Sequence, residues 1–247
     1  MADDGRASSD LHRRVLLLGV LASTALAAEA CSRRGVSAVA GAAAGAEDAS
    51  DVLPVEDLMR EHGVLRRVLL IYEEVLHRMA TRQPVPSDAL PAAADVVRRF
   101  VEDYHERQEE EGVFPRFRDK GVLVDLVGTL QRQHVAGRQL TDVVLRHAAA
   151  AGRPSTGAGL ELADAMRAFI GMYRPHAARE DTVLFPALRR VVTPREYDQL
   201  GDVFEDREHA LFGEDGFEKM VDRVAAIERS LDIADLDAFT PTSPPAR

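Results

Sequence analysis

The 247-residue chain carries 31 Lys and Arg against 41 Asp and Glu, a formal charge of −10, with one Cys and no Trp. A single cysteine excludes an internal disulfide framework and Cys-rich zinc modules, and the acidic balance argues against nucleic acid, whose phosphates need a basic face. Hydrophobic residues at 46% beside 29% charged ones are ordinary globular composition, which excludes disorder over most of the chain.

Residues 1–31 read as an export signal. A polar start leads to Arg13-Arg14 and then to an apolar run from Val15 to Ala28. That run is too short for the ~20 residues of a membrane-crossing helix and suits a signal-peptide core. The paired arginines resemble a twin-arginine signal, and Cys31 sits where a lipoprotein cysteine would. The expected location is therefore periplasmic or cell-envelope, with lipid anchoring only if Cys31 is modified. Residues 32–53, rich in Ala, Gly and Ser, read as a flexible linker, and residues 231–247 as a tail.

The folded domain spans 54–230 and reads as all-helical. Pro54 with Glu56 and Asp57 opens a helix to about Arg82, with Leu58, Leu65, Leu69, Tyr72, Leu76 and Met79 on one stripe. The gap in that stripe is His62. Gln83-Pro84-Val85-Pro86 breaks the helix, and a second is expected over 88–111, where Ala94, Val97 and Val101 lead to His105. A third, over 122–150, places His134 among Val127, Leu130, Val144 and Ala148. A fourth, over 159–185, carries Leu162, Met166, Phe169 and Met172 up to His176. Thr193-Pro194 opens a fifth, divided around Gly213 and Gly216. Period-two alternation is scarce, so no sheet is expected. Four long helices with short connections make an up-down-up-down four-helix bundle with an additional C-terminal helix.

The chain repeats itself. His105-x-x-x-Glu109 followed by Phe114-Pro115 matches His176-x-x-x-Glu180 followed by Phe185-Pro186, and His62 precedes its partner much as His134 does. A spacing of four puts His105 with Glu109, and His176 with Glu180, on one helix face. Alternating helices that share an axis bring His62, His105, Glu109, His134, His176 and Glu180 together. Imidazole with carboxylate suits iron or zinc, and a carboxylate can bridge two ions, so this set points to a two-metal centre. His77 and His147 are expected on the surface, and His209 stands outside the repeat.

These motifs resemble the hemerythrin-like (HHE cation-binding) family. The resemblance rests on Leu58-Met-Arg-Glu-His62, His105-x-x-x-Glu109, Gln133-His134 and His176-x-x-x-Glu180-Asp181, with both Phe-Pro pairs. It implies a bundle holding two iron ions, with Glu109 and Glu180 bridging and four histidines as terminal ligands. Asp181 is a rival to Glu180. It also implies an open position for a small ligand such as dioxygen, nitric oxide or peroxide, and hence sensing or oxidative-stress defence. Oxygen carriers of the family have His-x-x-x-His on the third helix, whereas Arg138 follows His134 here. The missing place falls to Glu106, Tyr104, Tyr173, His209 or solvent. Arg138, always protonated, is expected to pair with Glu109, Glu180 or Asp181. The Phe-Pro pairs are expected to end their helices and cap the bundle.

Two other function classes remain open. One is a metal-buffering or zinc-binding bundle without oxygen chemistry. The other is a scaffold recruiting a protein partner through its C-terminal region, which includes the acidic stretch Glu205-Asp206-Arg207-Glu208. No Ser-His-Asp or Cys-His arrangement and no phosphate-binding glycine loop appears, so hydrolase or kinase chemistry is not expected. Any enzymatic activity would be peroxidase- or oxidase-like.

Overall fold

The computed structural model describes residues 52–241. The export signal, Cys31, the linker up to residue 51 and the tail beyond 241 lie outside the described residues. Helix α1 is Pro54–Thr81, with proline in its first turn beside Glu56 and Asp57, as the helix dipole favours. Helix α2 runs over 89–120, α3 is Val124–His147 with a further 3-10 turn at Ala148–Ala150, and α4 runs over 157–191. Helix α5 is Pro194–Phe212, opened by a capping box between Thr193 and Glu196, and α6 is Gly216–Ser230. Among the described residues there is no strand, and no helix is long and apolar enough to cross a membrane.

Two helices outrun the sequence expectation. Proline was expected to end the second helix near 111 and the fourth near 185, yet α2 continues to Lys120 and α4 to Val191. The reason is local geometry. Wider π-helical turns at Glu109–Val113 and Glu180–Leu184 stand directly before Phe114-Pro115 and Phe185-Pro186. The proline lacks an N–H and its ring crowds the preceding turn, and a widened turn relieves both. A longer π-helical stretch, Val97–His105, delivers the histidine of α2.

The apolar stripes are buried as expected, but they form two cores with a polar layer between them. One holds Leu65, Leu69, Tyr72, Val97, Val101, Val144, Leu162, Met166 and Phe169. The other holds Leu58, Val113, Phe114, Leu130, Leu184, Phe185 and Phe204. Along α1 the second core comes first, then His62, then the first core. The order reverses in α2, reverses again in α3 and again in α4, so each helix crosses the polar layer at mid-length.

Helices α5 and α6 lie against α1 and α2. Arg67 grips Glu228 through Nε at 2.9 Å and a second nitrogen at 2.5 Å, Arg207 reaches Glu111 at 2.5 Å, and Arg223 reaches Asp95 at 2.8 Å. Phe212 packs edge-on against Tyr104, with ring centroids 5.4 Å apart. Between α3 and α4 the contact is closer still, because Gly137 leaves room for the Tyr173 ring and any Cβ there would collide with its hydroxyl. Gly137→Ala should therefore overpack the core and destabilise the protein by about 1–3 kcal/mol, read as a lower urea midpoint with an unchanged slope.

Candidate metal centre

The polar layer is a closed ring of six buried side chains. Glu109 Oε2 lies 3.7 Å from His105 Nε2 and 3.4 Å from His134 Nε2. Glu180 Oε2 lies 3.3 Å from His62 Nε2 and 3.0 Å from His176 Nε2. His134 and His176 approach through their Nε2 atoms at 3.3 Å, and the rings of His62 and His105 stand 4.7 Å apart at their centroids. Every histidine thus turns Nε2 inward, and each carboxylate sits between one histidine of each pair. Potential ligand atoms of the ring gather in two overlapping groups, His62–His105–Glu109 and Glu109–His134–His176–Glu180, within 4.8 Å of one another in each, and His134 also joins Glu106 and Glu110 in a third. Glu109 belongs to the first two.

The outward nitrogens are each held by a partner. His62 Nδ1 meets Asp181 at 2.6 Å, His105 Nδ1 meets Glu61 at 2.6 Å, His134 Nδ1 meets Glu110 at 3.0 Å, and His176 Nδ1 meets Gln133 Oε1 at 2.9 Å. An acceptor on Nδ1 places the proton there and leaves Nε2 with its lone pair, the tautomer a metal requires. Arg66 in turn pairs with Asp181, and Arg138 with Glu110. Phe185 stacks on His62 and Phe114 on His134, each at 5.4 Å between centroids, so apolar rings screen the layer from one side.

All six residues expected at the centre are therefore brought together; of the secondary candidates Glu106 lies beside them, with a carboxylate oxygen within 4.8 Å of His134 and Glu110. Asp181 faces the back of His62, away from the inward ring. Arg138 pairs with Glu106 at 2.7 Å and with Glu110, rather than with Glu109, Glu180 or Asp181, because Glu106 and Glu110 lie one turn apart facing α3. Glu106 is buried, and Tyr173 donates its hydroxyl to it at 2.5 Å. Tyr104 directs its hydroxyl to Glu208 at 3.2 Å, and His209 is exposed. Sequence reading missed Glu61, Gln108, which donates to Glu61 at 3.0 Å, Arg66 and Glu110. The signal was in the repeat: Glu61 and Gln133 each precede a first-helix histidine, Arg66 and Arg138 each follow one by four, and Glu110 and Asp181 each follow a carboxylate of the ring.

A family model described as the hemerythrin HHE cation-binding domain matches residues 53–188 and again 125–239. The second match starts within α3 and echoes the internal repeat. Uncharacterized proteins from Mycobacterium bovis and from two strains of Mycobacterium tuberculosis are each 50% identical over 187 residues, which is 76% of this chain and 73% of theirs. No solved structure matches significantly.

The electrostatics of the ring describe a site short of positive charge. Burial raises Glu109 well above the usual carboxylate range, and the charge of Glu180 beside it adds to the shift. Burial would raise Glu180 too, but His176 and His62 outweigh it and hold its carboxyl well below that range. Burial would lower His62, yet the hydrogen bond to Asp181 and the nearby Glu180 carboxyl lift it to about 9, while burial pushes His134 down to about 4. Protons thus occupy places that a bound cation would take, and ligand binding must displace them. Divalent-cation binding should release protons and strengthen as pH rises towards about 9, where His62 gives up its proton unaided. A pH indicator in weakly buffered solution measures the release during titration; no release would contradict it.

Proposed function

Because the chain belongs to the hemerythrin HHE cation-binding domain family, we propose that its buried ring holds two iron ions and that dioxygen, nitric oxide or peroxide binds beside them. The carrying observation is the set of buried polar atoms left without hydrogen-bond partners. His62 Nε2, His105 Nε2 and all four oxygens of Glu109 and Glu180 point inward unpaired. Leaving such groups unmatched in a protein interior is costly, and cations would match them. Four imidazoles with two carboxylates is a donor set that fits iron.

On this reading His62 and His105 serve one ion, His134 and His176 the other, and Glu109 and Glu180 bridge. Iron there would supply redox chemistry towards small oxygen and nitrogen ligands. The protein's own residues do the rest. Asp181, Glu61, Glu110 and Gln133 fix the four rings from outside, which keeps each Nε2 aimed at its ion. Phe114 and Phe185 exclude water from one side of the layer. Arg138, where oxygen carriers of the family place a fifth histidine, pairs with Glu106 and Glu110 and, staying protonated, offers the centre no ligand. Glu106, engaged by Tyr173 and Arg138, brings a carboxylate oxygen within 4.8 Å of His134 and stands beside that half of the centre. A centre with one histidine fewer suits sensing or peroxide removal better than reversible oxygen carriage.

The same reading takes α1 to α4 as an up-down-up-down bundle, because successive helices cross the polar layer in opposite order, and α5 with α6 as its C-terminal addition. It places the protein outside the cytoplasmic membrane, on the strength of Arg13-Arg14 and the apolar run that follows. Purified protein loaded anaerobically should carry about two iron ions per chain, and nitric oxide or dioxygen should change its visible spectrum. His134→Ala should lose roughly half of that iron. One tightly held zinc per chain, with no iron uptake and a silent spectrum, would overturn the proposal.

A further inference from the structure

The two halves of the centre are built alike, and one pair of matching residues breaks the likeness. His62 and His134 are each backed by an acidic residue that directly follows a ring carboxylate, Asp181 and Glu110, and each of those is neutralised by an arginine four residues after the histidine. His105 and His176 are each backed by the residue preceding a first-helix histidine. For His105 that residue is Glu61, and for His176 it is Gln133. One is a carboxyl group; the other is an amide, which can never carry a charge.

Surroundings sharpen the contrast. Glu61 is 2% exposed and receives a second hydrogen bond at 3.0 Å from Gln108 Nε2, which locks its carboxylate against His105. Gln133 is half-buried, so water tempers what its dipole contributes. A buried carboxylate on Nδ1 pushes electron density through the imidazole to Nε2 and makes it the stronger donor, whereas an amide oxygen only orients the ring. Glu106, on the opposite half, does not restore the balance. Its oxygens are already taken by Tyr173 and Arg138, so its charge is matched where it stands.

We propose that Glu61 is a positioning residue which, through His105, makes the two metal positions unequal, so that the His62–His105 position fills first. This rests on the two-ion reading above.

Titration of the metal-free full chain with Co(II), followed by its visible bands, tests this directly. Wild-type protein should bind two ions in two resolved steps. Glu61→Gln, which makes the halves alike, should weaken the first step by about 10–100-fold and leave the second, so that the steps merge. Gln133→Glu should tighten the second step by a similar factor, and the double variant should restore two steps. Helical circular dichroism of each metal-free variant reports whether the fold is kept, and Gln133→Glu stands as an independent test if Glu61→Gln fails to fold. Equal steps in the wild type, or two steps untouched by both single variants, would overturn the role of Glu61. Uptake of fewer than two ions by the wild type would overturn the two-ion reading itself and this inference with it.

Discussion

Four imidazoles meet at the middle of this protein with Nε2 turned inward, and each is pinned by an acceptor on Nδ1. That arrangement governs much else. Six polar side chains taken out of water between two apolar cores cost free energy unless every lone pair and proton is matched. The outer atoms are matched by Asp181, Glu61, Glu110 and Gln133, and the inner ones face one another. Helices α1 to α4 each spend a mid-helix turn on this layer rather than on apolar packing. The π-helical turns fall in the two helices that supply both a histidine and a carboxylate.

The halves depend on each other. The residue after Glu180 backs His62, and the residue after Glu109 backs His134. Phe185 covers His62 while Phe114 covers His134, so each repeat supplies the support and the lid of the other's first histidine. Neither helix pair alone could form the layer. Duplication here has produced one centre rather than two, and the residual asymmetry between Glu61 and Gln133 becomes chemically meaningful only because everything around it is matched.

Much of this was legible in the sequence. Four stripes interrupted by histidine, and a His-x-x-x-Glu that occurs twice, are enough to assemble the ring, because helical periodicity fixes which side chains share a face. The outer support was less legible. Glu61 and Glu110 lie next to ring residues in sequence, and adjacent helical positions diverge by about 100° around the axis. A charged residue beside a ligand therefore reads as solvated until the neighbouring helix that receives it is known. The continuation of α2 and α4 past Pro115 and Pro186 was hidden for another reason: proline rules assume an α-helical turn, and the turns before these prolines are wider.

X-ray absorption at the iron edge of the fully loaded protein tests the central claim most directly. The account predicts imidazole scattering together with a second metal about 3.5–4 Å away or nearer, as a carboxylate-bridged pair requires. A spectrum fitted by isolated ions, with no metal neighbour and no imidazole signature, would contradict it.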